Sequence, residues 1–458
     1  MQQLFQTPTS TTPISSATEP KLSMETHHVK KIDFSQPYGL TVIVGGTNLR
    51  FCLSQTTVEP RIFSINWDEL KKELPARPPE EMKDRVLSLA FKKFLEDLKT
   101  REEQSCEDFN LTNLKVVNIS VAGPVIGEGF DARVTTTNTG VEMVAEPIAE
   151  TFLGILEDHS KSMRLHFVRP SEVNVLNDAA AGVIGEQVCG GLQGAEHGVY
   201  VILGTGLGGM GLVDQKVATL YSELGHRIIL DESGTPTDFL NGDRLGEVLQ
   251  NGGFITLPTS KRYVEHHLAG PWNAVHFVKN VASSATAFES LVKFVAKDLG
   301  KNEAEAKALL NGLVELSNDN IDNWAKVTPS NVVKSVSKFI FTPDLEALSS
   351  ISNETPDAVL KVMGTRAWNK YFADLGKALK FVSDAMSAAG HAPQKIVIGG
   401  GIGEACSRYD ETLQAFAIDE VQHSADLPLR TVGFSYLSGE ARESAVTLRD
   451  IQQLNNEQ

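Results

Sequence analysis

Three glycine-rich turns in this 458-residue chain each follow a run of apolar residues and offer the groups that a phosphate needs. In Gly198–Val213, GVYVILGTGLGGMGLV, an apolar strand breaks at Gly204-Thr205-Gly206 and resumes as a second strand. Leu40–Leu53, LTVIVGGTNLRFCL, repeats the pattern around Gly45-Gly46-Thr47, and Lys395–Gly403, KIVIGGGIG, runs a strand into Gly399-Gly400-Gly401. Glycine admits φ > 0 and lets an anion approach the backbone, where oriented amides supply partial positive charge and each threonine adds a hydroxyl. One such hairpin is equally an ordinary glycine turn, whereas the recurrence suggests a nucleotide held between two related halves. Asp178 follows the apolar strand Val173–Leu176 through Asn177, where a carboxylate is rigidly placed to accept a proton. Taken alone, Asn-Asp after a strand also reads as a turn or helix cap.

These residues need strands and helices to position them, and the chain supplies both in alternation. Residues 1–36 are rich in Thr, Ser, Pro and Gln without an apolar signal-type segment, and read as a flexible tail. Strand Val116–Val121 ends at Ala122-Gly123-Pro124, and a helical piece over Pro147–Glu157 precedes the Asp178 strand. The order predicts two α/β lobes, over residues 37–170 and 171–436. Helices dominate residues 277–389, with one apolar face made by Phe288, Leu291, Val292, Val295 and Leu299 and another by Phe372, Leu375, Leu379, Val382 and Met386. Both stripes read as core. A last helix near Glu440–Leu454, within residues 437–458, is expected to fold back onto the first lobe.

Composition bounds the rest. A 41% hydrophobic content is enough for packed domains, and no apolar run approaches the roughly 18 residues of a membrane span. A net charge of −16 with pI near 5.2 argues against nucleic acid or an anionic membrane as partner. The four cysteines, Cys52, Cys106, Cys189 and Cys406, show no metal-type spacing, which fits a reducing compartment and a cytoplasmic location.

In order along the chain, VGGTNLR, SVAGPV followed by Thr137-Asn138, VNVLNDAAAGVIGE, GTGLGG, Glu223-Leu224-Gly225-His226 and IVIGGGIG resemble the motifs of bacterial-type glucokinases and ROK sugar kinases, in the actin-like hexokinase superfamily. The match runs from about Gly39 to Gly403. The resemblance implies a two-lobed actin-like, ribonuclease H-like ATPase fold with an interlobe cleft and, here, a helical elaboration of the second lobe. It implies transfer of the γ-phosphoryl of ATP, with Mg2+, to the 6-hydroxyl of an aldohexose, with Asp178 as general base. Asn138, Asn177, Glu223, His226 and a further glutamate would hold the sugar; Glu265 is the preferred match for that glutamate and Glu247 the alternative. Gly45, Gly46, Thr47, Gly204, Thr205 and Gly206 would hold phosphates, and Gly399, Gly400 and Gly401 would abut the adenosine. Vicinal diols suit bidentate polar groups, and a wrong epimer leaves buried polar groups unpaired. As isolated residues, Asn138, Glu223 and His226 would read as loop, surface or capping groups.

Two departures from the pattern matter. ROK kinases usually carry a cysteine-rich zinc run after the motif histidine, and no cysteine lies between His226 and Pro271, which argues against structural zinc. The aspartate that usually opens the first phosphate motif is replaced by Ile43. That aspartate helps organise hydrated Mg2+, which an aliphatic side chain cannot do. A sugar-sensing protein with weakened phosphate chemistry is therefore the alternative reading. The first 36 residues lack the periodicity and basic charge of a DNA-binding helix-turn-helix. A polyphosphate donor, the preferred hexose and a homodimer are left open, as the helical region could cover or replace an interface.

Overall fold

The computed structural model describes residues 32–456, apart from 47, 57, 75–78, 103–110, 137–142, 164–166, 205, 232–235, 240–261, 269, 317–329, 346–354 and 429–430. Strand β1 (Tyr38–Val44) is buried at every position, as a central strand must be. It turns through Gly45 and Gly46 into β2 (Asn48–Gln55), which pairs antiparallel with β3 (Val58–Asn66), and β4 (Leu114–Val121) lies parallel to β1. A small antiparallel sheet follows, made of β5 (Val125–Ile126), β6 (Arg133–Thr136) and β7 (Met143–Glu146). Then β8 (Glu172–Asn177) completes the first large sheet in the order β3-β2-β1-β4-β8.

The two faces of this sheet are chemically different. Leu40, Val42, Val44, Phe51 and Ile119 face helices α1 (Pro79–Glu102) and α2 (Ile148–Met163), where Phe51 stacks on Phe94 at 5.0 Å. Gly39, Thr41, Cys52 and Asn118 face the other way, against a C-terminal helix described below.

Two corrections to the expected boundaries follow. Of the expected tail, residues 1–31 lie outside the described residues, but Ile32 and Phe34 are buried in the first core and the Gln55 amide holds the Asp33 carbonyl. The packed chain thus starts before residue 37. The first lobe also runs past residue 170, because β8 pairs with β4 from Val116↔Glu172 to Val121↔Asn177.

Helix α3 (Asp178–Cys189) leads from the first sheet into the second. That sheet has the order β11-β10-β9-β15-β16, built from β9 (Gly198–Leu203), β10 (Leu207–Val213), β11 (Lys216–Ala218), β15 (Lys395–Gly399) and β16 (Val432–Phe434). The intervening strands β12 (Ile228–Leu230), β13 (Pro236–Phe239) and β14 (Arg262–Tyr263) form a small separate sheet. Both large sheets place an antiparallel meander beside two further parallel strands, so the β1–β2 and β9–β10 turns are equivalent.

Valines 199 and 201 of β9 face a helical layer made of α4 (Gly270–Val281), α5 (Ala285–Leu299), α6 (Glu303–Glu315), α7 (Ser330–Ile340) and α8 (Pro356–Ala388). α5 begins where the Ser284 hydroxyl accepts the Ala287 N–H and ends at Gly300, whose φ of 62° suits glycine. Phe288, Leu291, Val292 and Val295 of its apolar stripe are buried, as are Phe372, Leu375, Leu379, Val382 and Met386 of α8. The helical layer starts at Gly270, earlier than residue 277.

After α9 (Gly400–Cys406) and α10 (Glu411–Ala425), helix α11 (Gly439–Asn456) crosses the polar face of the first sheet. The Thr41 and Thr447 hydroxyls pair at 2.6 Å, Cys52 pairs with Ser444 at 2.8 Å, and the Asn118 amide donates to Asp450 at 2.9 Å. α11 also packs on α3, which in turn lies on the second sheet through Ala179, Ala180 and Val183 against Tyr200 and Met210. A Cβ on Gly182 would stand 2.1 Å from the Tyr200 ring. Gly182→Ala is therefore expected to lower stability by about 1–3 kcal/mol through overpacking, read as a lower denaturant midpoint at an unchanged m value.

Candidate active site

The parallel strands β1, β4 and β8 end on the same edge of the first sheet, where α/β folds place their ligands. At that edge Asn177 caps α3: its Oδ1 accepts the Ala179 N–H at 2.9 Å and its Nδ2 donates to the Gly123 carbonyl at 3.0 Å. Asn177, expected to touch a sugar, has one bond to backbone at each end of its amide, which fixes the start of α3. Asp178 is the first helical residue, with one carboxylate oxygen 2.9 Å from the Ala179 N–H. Desolvation pushes its carboxyl up to about 7, and the Glu223 charge adds to that, while the Ala179 N–H opposes it.

Glu223 stands at the start of the short helix Leu224–Arg227 with φ 54° and ψ 42°, a left-handed conformation that costs a non-glycine residue roughly 1–3 kcal/mol. Its Oε2 lies 3.5 Å from the His226 Nδ1, and the His226 ring meets Tyr263 edge-on at 5.5 Å. Buried Arg227 reaches back to the Leu220 carbonyl. Desolvation lowers its guanidinium to about 10 against the opposing pull of Glu223. Glu223 and His226 thus stand together, and the Glu223 charge reaches Asp178.

Glu265 opens the helix Glu265–Leu268, and the preceding Val264 N–H bonds the Ile228 carbonyl at 2.8 Å, which brings that backbone beside the Glu223 segment. Its rival Glu247, together with Asn138, Thr47 and Thr205, lies outside the described residues. β6, which leads toward Asn138, is tied to this edge by the Thr136 hydroxyl on the Ala122 carbonyl at 2.8 Å.

Both hairpin turns are held from outside. The Gly45 N–H bonds the Asn48 carbonyl at 3.1 Å while the Trp67 indole donates to the Gly45 carbonyl at 2.8 Å. The Gly204 N–H bonds the Gly206 carbonyl at 3.0 Å, and the Gly270 N–H bonds the Gly204 carbonyl at 2.8 Å. Gly399 ends β15, and Gly400 and Gly401 open α9. Gly400 has φ 76°, and a Cβ there would stand 2.5 Å from the Leu203 carbonyl.

One acid at this edge escaped the sequence reading. Glu443 of α11 is buried, and the Asp178 charge acts on it. Its only sequence signal is that α11 carries polar residues on the face it buries.

Two other features lie apart from Asp178. His197, Asp214 and His391 bring metal-capable atoms within 4.8 Å of one another at the opposite end of β9, but the His197 Nδ1 already accepts the Asp214 N–H. A cavity of about 870 Å3 opens in the helical layer among Phe294, Phe339, Thr342 and Leu413, where Lys338 and Lys361 are paired with Asp298 and Asp344. Among the described residues no helix is long and apolar enough to cross a membrane.

No family model matches the sequence, and no curated protein matches it. Solved structures do. A ROK family glucokinase from Streptomyces griseus, in complex with glucose and AMPPNP, is 17% identical, with a TM-score of 0.50 over 90% of this chain and 98% of that one. A ROK hexokinase from Thermus thermophilus is 15% identical over 92% and 99% of the two chains, with a TM-score of 0.46. A ROK family transcriptional regulator, a homolog of the E. coli Mlc protein, is 14% identical over 91% and 80%, with a TM-score of 0.48. The chain has the mixed α/β, actin-like ATPase fold of the ROK sugar kinases.

Proposed function

We propose that the protein is a ROK-type sugar kinase that transfers the γ-phosphoryl of ATP to the 6-hydroxyl of an aldohexose, with glucose the first substrate to test. The observation that carries this reading is the placement of Asp178. Its carboxyl, raised to about 7, stands at the carboxyl ends of β1, β4 and β8, on the strand edge that also bears the Gly45–Gly46 turn. A solved protein of the same fold holds glucose and AMPPNP together, which supports both substrates.

In this reading Asp178 accepts the proton of the attacking hydroxyl, and a base whose pKa lies near neutral pH is matched to that task. The Gly45–Thr47 and Gly204–Gly206 turns receive phosphate oxygens on backbone N–H groups, and Gly399–Gly401 lie beside the adenosine. Glu223, His226, Asn138 and Glu265 hold ring hydroxyls, and Asn177 fixes the aim of α3. Mg2+ bound with the nucleotide supplies neutralisation of phosphate charge.

Asp178→Ala is expected to lower sugar-phosphate formation about 10²–10⁴-fold in a coupled assay while hexose binding by calorimetry persists. Because the base must be ionised, kcat/KM for the hexose should fall as pH drops through about 7. In Glu223→Gln the neighbouring charge is gone, so the Asp178 carboxylate is easier to form and the acid limb of the residual activity should move to lower pH. A limb that stays in place would remove Glu223 from the electrostatics of the base.

A further inference from the structure

Glu443 has no task in the chemistry so far. It lies in the second turn of α11, only 9% exposed, and its Oε2 makes no hydrogen bond. Leaving a buried carboxylate oxygen unmatched is costly, so such an oxygen points to a ligand or a bound proton. Its surroundings favour a ligand. α11 lies on the sheet face where Arg50 of β2, Ile43 of β1 and Ser120 of β4 stand in one register, and the buried Ser120 hydroxyl stands against the Glu443 carboxyl.

Burial pushes the Glu443 carboxyl up to about 8. The Ser120 hydroxyl and the Arg442 and Arg50 guanidiniums oppose that rise, and the Asp178 charge adds to it. Arg442 is committed elsewhere, to Glu404, Ser435 and the Leu437 carbonyl. Two acids on different elements, Glu443 of α11 and Asp178 of α3, therefore act on one another beside the Ser120 hydroxyl, at the strand edge that also carries the Gly45–Gly46 turn. An all-oxygen donor set of two carboxylates and a hydroxyl suits a hard divalent cation that keeps several waters.

We propose that Glu443, with Asp178 and Ser120, holds the hydrated divalent cation that accompanies the nucleotide, supplying from α11 the carboxylate that Ile43 leaves out of β1. This rests on the kinase reading. The cation site is thereby completed only when α11 is docked on the first sheet, and Ile43 does not disable it.

Mn2+ is the probe, its binding with AMPPNP to the full chain followed by electron paramagnetic resonance. Glu443→Gln should weaken Mn2+–AMPPNP binding at least tenfold while glucose binding and the melting temperature stay put, and Ile43→Asp added to Glu443→Gln should restore it. Unchanged Mn2+–AMPPNP binding in Glu443→Gln would show that Glu443 merely holds a proton and would overturn the proposal. So would wild-type protein that binds AMPPNP without regard to Mn2+. A second measurement does not depend on the variants folding. With Fe2+ and ascorbate in place of Mn2+, oxidation in the wild-type chain should centre on Ser120, Asp178 and the Glu443 turn of α11, and α11 left untouched would contradict the assignment. Failure of the kinase reading shows differently, as loss of glucose binding and of sugar-phosphate formation in the wild-type protein.

Discussion

Helix α3 is wedged between the second sheet and α11 with no space for side chains at two of its positions, and the rest of the site depends on that fit. Gly182 lies against the Tyr200 ring, and a Cβ on Gly185 would stand 2.4 Å from the Arg442 carbonyl. Around this contact Arg442 lies over the Tyr200 ring at 5.2 Å and 3.5 Å from Glu186, with Ser435 bonded to both charged groups. Glu186 is fully buried and Arg442 is 4% exposed. Removing Arg442 would strand the buried Glu186 charge, whereas Arg442 keeps Glu404 as a second partner. Since Asp178 is the first residue of α3, the wedge sets where its carboxylate stands relative to both glycine hairpins.

The same contact couples the lobes. α3 continues β8 of the first sheet yet packs on the second, and α11 lies on the first sheet yet grips α3. Both sheets thus meet these two helices, which carry Asp178 and Glu443. Strain is concentrated nearby in the left-handed Glu223, a residue that faces Asp178 electrostatically.

Local patterns in the sequence showed much of this. Strands ending in glycine turns, the two apolar helix stripes and the Asn177-Asp178 strand end are recognisable because each is fixed by neighbours within a few residues. What failed was non-local. The sequence does not join β8 to its sheet, because its partner β4 lies more than fifty residues earlier, and it does not mark Ile32 and Phe34 as core, because two apolar residues without periodicity give no strand or helix signal. Glu443 could not be found from sequence, since only the packing of α11 brings it to Asp178 from 265 residues away.

The central claim is that Asp178, aimed by the α3 wedge, is the base of a sugar kinase site. A crystal structure of the wild-type chain with glucose and Mg2+–AMPPNP tests it most directly. The account predicts the sugar 6-hydroxyl within hydrogen-bond reach of the Asp178 carboxylate, ring hydroxyls on Glu223 and His226, and phosphates on the Gly45 and Gly204 turns. A sugar bound away from Asp178, or a nucleotide that leaves both turns untouched, would contradict it.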